Sequence, residues 1–582
     1  MSYRLDVRNT KKGTYLIIEK KYRDKEKKQS RTKHHKTLGY VHDLQKEFPD
    51  PVAHFKEIVA QMNVEEKINK KLVLDVDLNE KLPNESHDRY NMGYAVILKI
   101  YHELELDRFL NNKARHETFE YNTNSIMLLL TITRILHPSS KKRSYEYRNM
   151  FFERFDFELH HVYRALTHFS KIGEECQRFI SDQINTKFGR NTSLMYFDVT
   201  NFHFEIDETD DFRKRGKEKN NRPDPIVQMA LAMDADGIPL YYKLFPGNTH
   251  DSKTFIPVFK DVCVRFSPGR VIAVADMGCT SSNNIFFLKG GDRDKRLNGY
   301  VFSFSIRKGT EKFKNYVLDD SNYVGRDGKA LKENYDYKIK SRIEVREIKV
   351  AMKNGSQKSM LIDEKQVVFW SKKYADKARS ERTEVIKKAL NIIDNPKNYN
   401  KSTVHGAAAY IKNITFDKKT GEIIEELGKK LSYDEEKAVE DAKYDGYYCI
   451  ITSELDMPDQ RVIEIYRGLS DIEDNFKVSK RDLDIRPVHV SREDRINAHV
   501  LTCFISLVIL RLIQKKTDYK FTPEQIITCL NNISCSLEHT NLYMFDYRSN
   551  ISNCIGEAFG IDFTNKRLRL NEIKNILASS KK

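Results

Sequence analysis

The eight cysteines of this 582-residue chain (176, 263, 279, 449, 503, 529, 535 and 554) include no CxxC pair and share no zinc-ligand spacing with histidines. A disulfide scaffold and a thiolate zinc site are therefore not expected. Most of these cysteines lie in apolar runs, where a reduced thiol acts as a small hydrophobe, and a reducing compartment fits that usage. The start, Met1-Ser2-Tyr3-Arg4-Leu5-Asp6, has no apolar signal core. The longest mostly apolar stretch, Val500 to Leu510, is too short to span a bilayer and is followed by Arg511. Internal repeats and low-complexity blocks are missing too, and tryptophan occurs once, at Trp370. These absences predict a soluble cytoplasmic protein with no membrane partner.

What is present in excess is positive charge. Lys plus Arg exceed Asp plus Glu by 100 − 84 = 16, and the pI is about 9.1, a balance that suits a polyanionic partner. Residues 1–40 alone hold 13 Lys and Arg against 4 Asp and Glu, a net +9. Within that segment the apolar run Tyr15-Leu16-Ile17-Ile18 reads as a strand, which argues against a merely solvated tail.

At roughly 150 residues per domain the chain has room for about four domains. Residues 1–52 read as a basic region of short strands, Tyr3–Val7 and Thr14–Lys21 among them. From 53 to 190 the pattern turns helical, with Ala95–Tyr101 and Ile126–Ile132 as helix cores and Pro138 as a stop. Residues 191–305 change period. Strands are expected at Leu194–Phe204, Ile226–Asp234, Ile238–Phe245, Arg270–Asp276 and Tyr300–Ser305. The second and third form a hairpin about Ala235-Asp236-Gly237, and helices run to Val264 (N-capped by Asp251 or Ser252) and over Ser282–Leu288. Residues 306–440 look like a separate β-rich insertion carrying a charged helix, Tyr374–Ile393. The core resumes over 441–519 with a strand at Tyr444–Ile451 and a buried helix at Ile496–Leu512. Residues 520–582 form a mixed C-terminal region, a candidate for oligomerisation. Three strands, a helix, a strand, a helix and a strand is the order of a mixed sheet of the RNase H kind, with the fourth strand beside the first.

That order puts three acids in informative places. Asp198 lies on the first strand, Asp276 ends the fourth, and Glu473 sits 473 − 276 = 197 residues further on, in a helical segment beginning at Tyr466. Two strand carboxylates and one helix carboxylate make an oxygen-ligand site for paired Mg²⁺ ions, with Mn²⁺ able to substitute. Lys480, seven residues after Glu473, falls about two turns along the same helix face, where it could hold a phosphate. Singly, Asp276 could merely end a strand and Glu473 could be a solvated helix residue.

Tyr466, Glu473 and Lys480 have the spacing of the tyrosine–arginine–glutamate–lysine signature of bacterial insertion-sequence transposases. Asp234–Leu240, Phe245–Thr249, Ala275–Gly278, Tyr444–Tyr447 and Leu483–Val488 also resemble that group, and the similarity runs from the basic start to about residue 515. The resemblance implies an α/β fold: an RNase H-like mixed-sheet catalytic core interrupted by a β-rich insertion, preceded by a basic N-terminal region and a helical region that binds DNA ends. It implies Asp198, Asp276 and Glu473 as catalytic metal ligands for two Mg²⁺ ions. It also implies Tyr466, Arg467 and Lys480 as DNA contacts. One departure stands out. The family's arginine position is Leu469 here, with Arg467 one residue after Tyr466 as its replacement. The implied partners are double-stranded DNA, both inverted-repeat ends and target, and a second copy of the chain in a homodimer or larger assembly. The implied setting is a bacterial cytoplasm, at the nucleoid when DNA is bound. A metal-dependent nuclease that does not join strands, and a catalytically silent DNA-binding derivative, are the alternatives.

Lesser candidates have plainer readings beside the functional one. Asp207, Glu208, Asp210 and Asp211 read as a solvated loop, and His203 and His250 as polar or turn residues. Asn283 or Asn284 would cap a helix or contact DNA. Trp370 would sit in a core rather than stack on a base. The basic loop Arg213, Lys214, Arg215, Lys217, Lys219 and Arg222 would lie along phosphate.

Overall fold

Strand-forming residues flank a Lys12-Gly13 turn at the N-terminus, and the chain folds back there into a hairpin. The computed structural model describes the whole chain except residues 1, 24–28, 69–78, 80, 82–83, 85, 87, 207, 217–223, 267–268, 291–297, 332, 352–354, 418–419, 425–429 and 487. It divides into two units, Met1–Ser86 and His87–Lys582.

In the first unit β1 (Ser2–Thr10), β2 (Gly13–Arg23) and β3 (Ser30–Tyr40) form an antiparallel sheet in that order. Leu16, Ile17 and Ile18 are buried. The buried Glu19 carboxylate is balanced by Arg4 and Arg8, each 2.8 Å away. Helix α1 (Pro51–Ile68) is tied to β1 by Asn63, which exchanges two hydrogen bonds with the Tyr3 backbone at 2.6 and 2.9 Å. From Ser30 to Thr37, β3 is exposed and carries Arg31, Lys33 and Lys36. The basic segment is thus an ordered sheet rather than a tail.

The second unit is built on an eight-stranded mixed sheet. Before it come β4 (Arg89–Asn91) and the helices α2 (Tyr94–Glu103), α3 (Thr123–Leu136), α4 (Lys141–Glu146) and α5 (Leu159–Phe188). Then follow β5 (Leu194–His203), β6 (Ile226–Met233), β7 (Pro239–Pro246), helix α6 (Asp251–Phe266), β8 (Ile272–Ala275) and β9 (Gly299–Ser303). The expected hairpin of 226–245 is present, and β8 lies beside β5 as the RNase H-like order requires. The region expected as an insertion contributes two 15-residue strands, β10 (Tyr337–Ala351) and β11 (Gln357–Ser371), and helix α7 (Lys372–Asp394). Four two-residue strands follow: β12 (Ile411–Lys412), β13 (Thr415–Phe416), β14 (Ile423–Ile424) and β15 (Ser432–Tyr433). With β16 (Tyr447–Thr452) the sheet runs β10-β11-β16-β9-β8-β5-β6-β7, and only the β5–β8 and β8–β9 pairs are parallel. The long strands of 337–371 therefore extend the same sheet instead of forming a sheet of their own.

After β16 come α8 (Asp459–Arg467), α9 (Leu469–Lys477) and α10 (Glu493–Lys516). Among the described residues α10 alone is long and apolar enough to cross a membrane, and 94% of its apolar window is buried inside the fold. The C-terminal strands β17 (Ser534–His539), β18 (Leu542–Phe545) and β19 (Arg567–Arg569) form a four-stranded sheet with β4, so residues 89–91 pair with 534–536. All eight cysteines are free, and seven are buried.

Two of the sequence motifs explain themselves structurally. Gly446 has φ +82, and a Cβ there would lie 2.6 Å from Trp370 Nε1, so only glycine fits the turn into β16. Trp370 donates from Nε1 to the Asp445 carbonyl at 2.9 Å and meets Tyr335 edge-on, which is a packing role. The Asp445 carboxylate pairs with Arg382. In the β6–β7 turn the buried Asp234 carboxylate accepts from Arg190 at 2.9 Å and from the backbone of Asp236 and Ile238.

Burial pulls the Arg190 guanidinium down and the Asp234 carboxyl up, each opposed by the partner's charge. Asp234→Ala leaves the guanidinium buried and unpaired, and the expected loss is about 3–5 kcal/mol of stability. Urea unfolding of the full chain measures it, and a loss under ~1 kcal/mol would show that water replaces the pair.

Candidate active site

Strand parity assigns each acid to a face. Along β5 the odd positions Met195, Phe197 and Val199 join one buried cluster, with Phe255 and Phe259 of α6. The even positions Tyr196 and Phe202 join the other, with Val274, Val301, Ile465 and Ile472. Asp198 is even, and its antiparallel partner Leu231 belongs to the same second cluster. The parallel register pairs Phe197 with Ala275. The next residues, Asp198 and Asp276, therefore stand side by side and both face the layer formed by α8 and α9.

Asp276 is exposed just past the end of β8. Its Oδ1 accepts the hydroxyls of Ser303 (2.6 Å) and Tyr466 (3.1 Å), which come from β9 and α8. Asp198 is half-buried, and its Oδ1 accepts its neighbour's backbone N–H at 2.7 Å. The electrostatics show how the acids group. Burial first, then Asp198, Asp251 and Asp276, push the Cys279 thiol well up. Burial first, then Asp276, with Glu473 contributing, raises the Tyr448 hydroxyl. Asp276 is thus the common neighbour of both groups.

Glu473 is exposed on α9, and the residues on either side of it are fixed. Ile472 and Phe476 are buried against the sheet. Asn475 donates from Nδ2 to the Gly237 carbonyl of the β6–β7 turn at 3.0 Å. Arg511 of α10 donates to Asn475 Oδ1 (2.7 Å) and to Asp474 Oδ2 (2.8 Å). The junction between α8 and α9 is Gly468, where a Cβ would lie 2.2 Å from the Tyr196 hydroxyl. Glycine is needed there for close approach, and that contact seats α9 on β5.

The remaining sequence candidates fall into place with some corrections. Tyr466 meets Asp276, as above. Arg467 is exposed and lies by Tyr337 of β10, whose hydroxyl it holds down against the effect of burial. Leu469 packs against the core. Lys480 lies in a π-helical turn, Val478–Asp482, so the simple α-helical count of two turns from Glu473 does not hold; its Nζ is 5.9 Å from the Phe476 ring. Ser281, not an asparagine, caps the helix after Asp276, while Asn284 is buried and donates to the Cys279 carbonyl. Asp251 lies inside the first turn of α6 rather than capping it. Asp210 closes its own loop by accepting from Phe212 and Arg213. His203 lies 3.4 Å from Arg486. Asp207, Lys217, Lys219 and Arg222 fall outside the described residues.

Sequence reading missed Asp251, Ser303, Tyr448, Asn475 and Arg511. Asp251 accepts from Gln228 at 3.2 Å and reaches the strand ends from the opposite face. The one available signal was the polar pair Asp474-Asn475 inside an otherwise amphipathic helix. Among the described residues no three His, Cys, Asp or Glu side chains converge at metal-binding distance.

The Transposase DDE domain family model matches residues 196–509, more than half of the chain and a span containing all three acids. The chain belongs to the transposase DDE domain family. This enzyme is accordingly a transposase, which cleaves and transfers DNA, and its family generally uses divalent metal ions. No curated protein matches it. Among solved structures, the piggyBac transposase synaptic complex with hairpin DNA is 7% identical over 76% of this chain and 80% of that one, at a TM-score of 0.35. The Mos1 transposase paired-end complex with the left transposon end is 14% identical over 43% of this chain and 69% of that one, at a TM-score of 0.13. Neither likeness is close enough to carry an argument.

The positioning network makes a specific forecast. Asn475→Ala leaves the Gly237 carbonyl and Arg511 short of partners, a cost of about 1–3 kcal/mol. Single-turnover cleavage should slow by roughly tenfold or more, equivalent to about 1.4 kcal/mol in the barrier, although the Glu473 carboxylate is intact. Full-speed cleavage by a destabilised Asn475→Ala protein would mean that Glu473 needs no such support.

Proposed function

We propose that the transposase holds two Mg²⁺ ions, replaceable by Mn²⁺, with Asp198, Asp276 and Glu473, and uses them to cut double-stranded DNA at element ends and join those ends to target DNA. The observation that carries this reading is the β5–β8 register, which sets Asp198 and Asp276 side by side on the face where the Glu473 helix packs. The donor set fits the ions: carboxylates are the hard oxygen ligands such cations take. Bound there, the pair supplies charge stabilisation to the attacking and leaving oxygens of a phosphodiester.

The chain's own groups prepare that chemistry. Ser303 and Tyr466 both bond Oδ1 of Asp276 and so orient the carboxylate, while no described residue bonds its Oδ2. Asn475 and Arg511 hold α9, the helix that carries Glu473, against the β6–β7 turn and α10. Tyr466, Arg467 and Lys480 are the side chains of this layer assigned to DNA contact, with Lys480 at a phosphate. The exposed basic strand β3 contributes further phosphate contacts. Two element ends need two such sites, which requires a homodimer or larger assembly on DNA.

Asp198→Ala, Asp276→Ala and Glu473→Ala should each abolish both cleavage and strand transfer while duplex binding persists, and chelation of Mg²⁺ should do the same. Cleavage without strand-transfer products in the wild-type protein would reduce it to a nuclease. Strong Mg²⁺-dependent cleavage by Glu473→Ala would take that residue out of the site. Lys480→Ala is expected to lose roughly ten- to a hundredfold in cleavage rate, the equivalent of about 1.5–3 kcal/mol for a charge-assisted phosphate contact, with little change in melting temperature.

Removing residues 1–40 tests the basic sheet. The log–log slope of duplex affinity against salt should flatten by about 0.9 for each phosphate that the sheet would have neutralised. An unchanged slope in an anisotropy titration would make the sheet a spectator in DNA binding.

A further inference from the structure

β10 is the edge strand of the eight-stranded sheet. At Ile339 its outer rim is occupied, because that residue exchanges backbone hydrogen bonds with Val324, 2.9 Å in each direction. Successive residues of a strand turn their peptide groups to opposite sides. The N–H and C=O groups of Ser341, Ile343, Val345, Glu347 and Lys349 therefore point to the same rim as those of Ile339, and among the described residues no strand pairs with them. These odd positions also share one face of the sheet. On that face Ile343 is 58% and Val345 57% exposed, and Leu361 of β11, opposite Glu347, is 70% exposed.

A long regular edge with an apolar face is a template for another strand, and folds that must keep such an edge free shorten it, bulge it or interrupt it with proline. β10 is 15 residues long, contains no proline and pairs with β11 without a bulge. The charges on its exposed face, Glu347 and Lys349, lie 4.0 Å apart as an ion pair, so they leave no net charge there. Two copies laid antiparallel about Val345 use the free rim from end to end. Val345 then meets its own copy, Ile343 meets Glu347, Ser341 meets Lys349, and nothing runs into the Val324 bridge. On the other face Glu344 stands opposite Arg346, and Arg346 opposite Glu344. These are the closer, non-hydrogen-bonded positions of an antiparallel ladder. The neighbouring registers lose this match. Centred on Glu344, the ladder sets Glu344 on Glu344 and Arg342 on Arg346; centred on Arg346, it sets Arg346 on itself. Like charges directly opposite destabilise a ladder. Glu344 and Arg346 also have internal partners, Lys312 and Glu364, each at 2.8 Å, so the second copy would extend an existing charge network.

We propose that β10 pairs antiparallel with β10 of a second copy of this chain about Val345, which makes the two mixed sheets one continuous sheet. The occupant is a second copy rather than DNA because the rim is its own complement in this one register, and the apolar side chains beside it offer nothing to phosphate. The proposal rests on the reading of the transposase as a homodimer and names the interface; it is independent of the metal ligands.

The test uses the full chain and the variants Val345→Lys and Val345→Glu, at a side chain that is exposed in the single copy and so tolerates either charge. Sedimentation velocity over a concentration series, alone and with duplex DNA, reads the mass against 68.3 kDa for one chain. Thermal melts check that each variant is folded. The wild type is expected to reach twice the single-chain mass. Each variant by itself opposes like charges across the two-fold axis and should need roughly tenfold more protein to dimerise. An equimolar mixture of the two opposes Lys to Glu and should restore dimerisation, which variants that had merely lost their fold would not do. A wild type that keeps the single-chain mass throughout overturns the interface together with the homodimer. Dimerisation retained by both variants overturns the interface alone and leaves the homodimer to another surface. Variants that stay monomeric when mixed also overturn the pairing about Val345. Duplex binding that Val345→Lys strengthens and Val345→Glu weakens, with the mass unchanged, would give the rim to DNA and overturn it as well.

Discussion

The parallel pairing of β5 with β8 is the constraint on which the rest of the site depends. Parallel strands cannot be joined by a tight turn, so the chain leaves β5, makes the β6–β7 hairpin and the α6 crossover, and only then lays β8 beside it. The reward is register. Once Phe197 faces Ala275, the acids that follow are neighbours without any loop having to carry them. A slip of one residue would turn Asp198 from the helix-covered face to the α6 face, because strand side chains alternate. Both faces are buried clusters, so such a slip would also drive a carboxylate among Phe197, Phe255 and Phe259. Hydrophobic packing and acid placement are therefore specified together.

The third acid reaches that face by a different route. No backbone ladder connects α9 to the sheet, so its position comes from side chains: Ile472 and Phe476 in the core, Asn475 on the hairpin turn, Arg511 beneath, and the bare Gly468 against Tyr196. Three of these partners belong to distant segments: the turn at 237, the buried helix at 511 and Tyr196 of β5. Glu473 itself contributes none of the anchoring, which leaves its carboxylate at the surface. A rigid mount with an exposed carboxylate is what the proposed role of Glu473 as a metal ligand requires.

Several charges serve the fold rather than the chemistry. Arg190 and Asp234 brace the hairpin turn that receives Asn475, and Asp445 with Arg382 braces the turn into β16. Their buried carboxylates resemble functional acids in a sequence. Only the structure shows that Asp234 is already met by arginine and backbone donors and Asp445 by arginine. Lys141 is the opposite case, a buried base whose donors are unsatisfied.

Sequence alone was enough for the central strands, the hairpin and the order of the sheet's centre, because alternation, turn residues and run length are local signals. It also located the buried helix after residue 493, whose residues are apolar on nearly every face. What it could not decide were relations between segments. The strands of 337–371 read as a module apart, and pairing with β16 made them the outer strands of one sheet. The segment 89–91 had no strand signal of its own until the C-terminal strand at 534–536 offered it a ladder. The α-helical count that aligned Lys480 with Glu473 failed at a π-helical turn, a change of pitch with no sequence mark. Asn475 and Arg511, 36 residues apart, become one positioning unit only when α9 and α10 pack. Local free energies write the elements and their chemistry into the chain, whereas partners at long range exist only once the fold has brought them together.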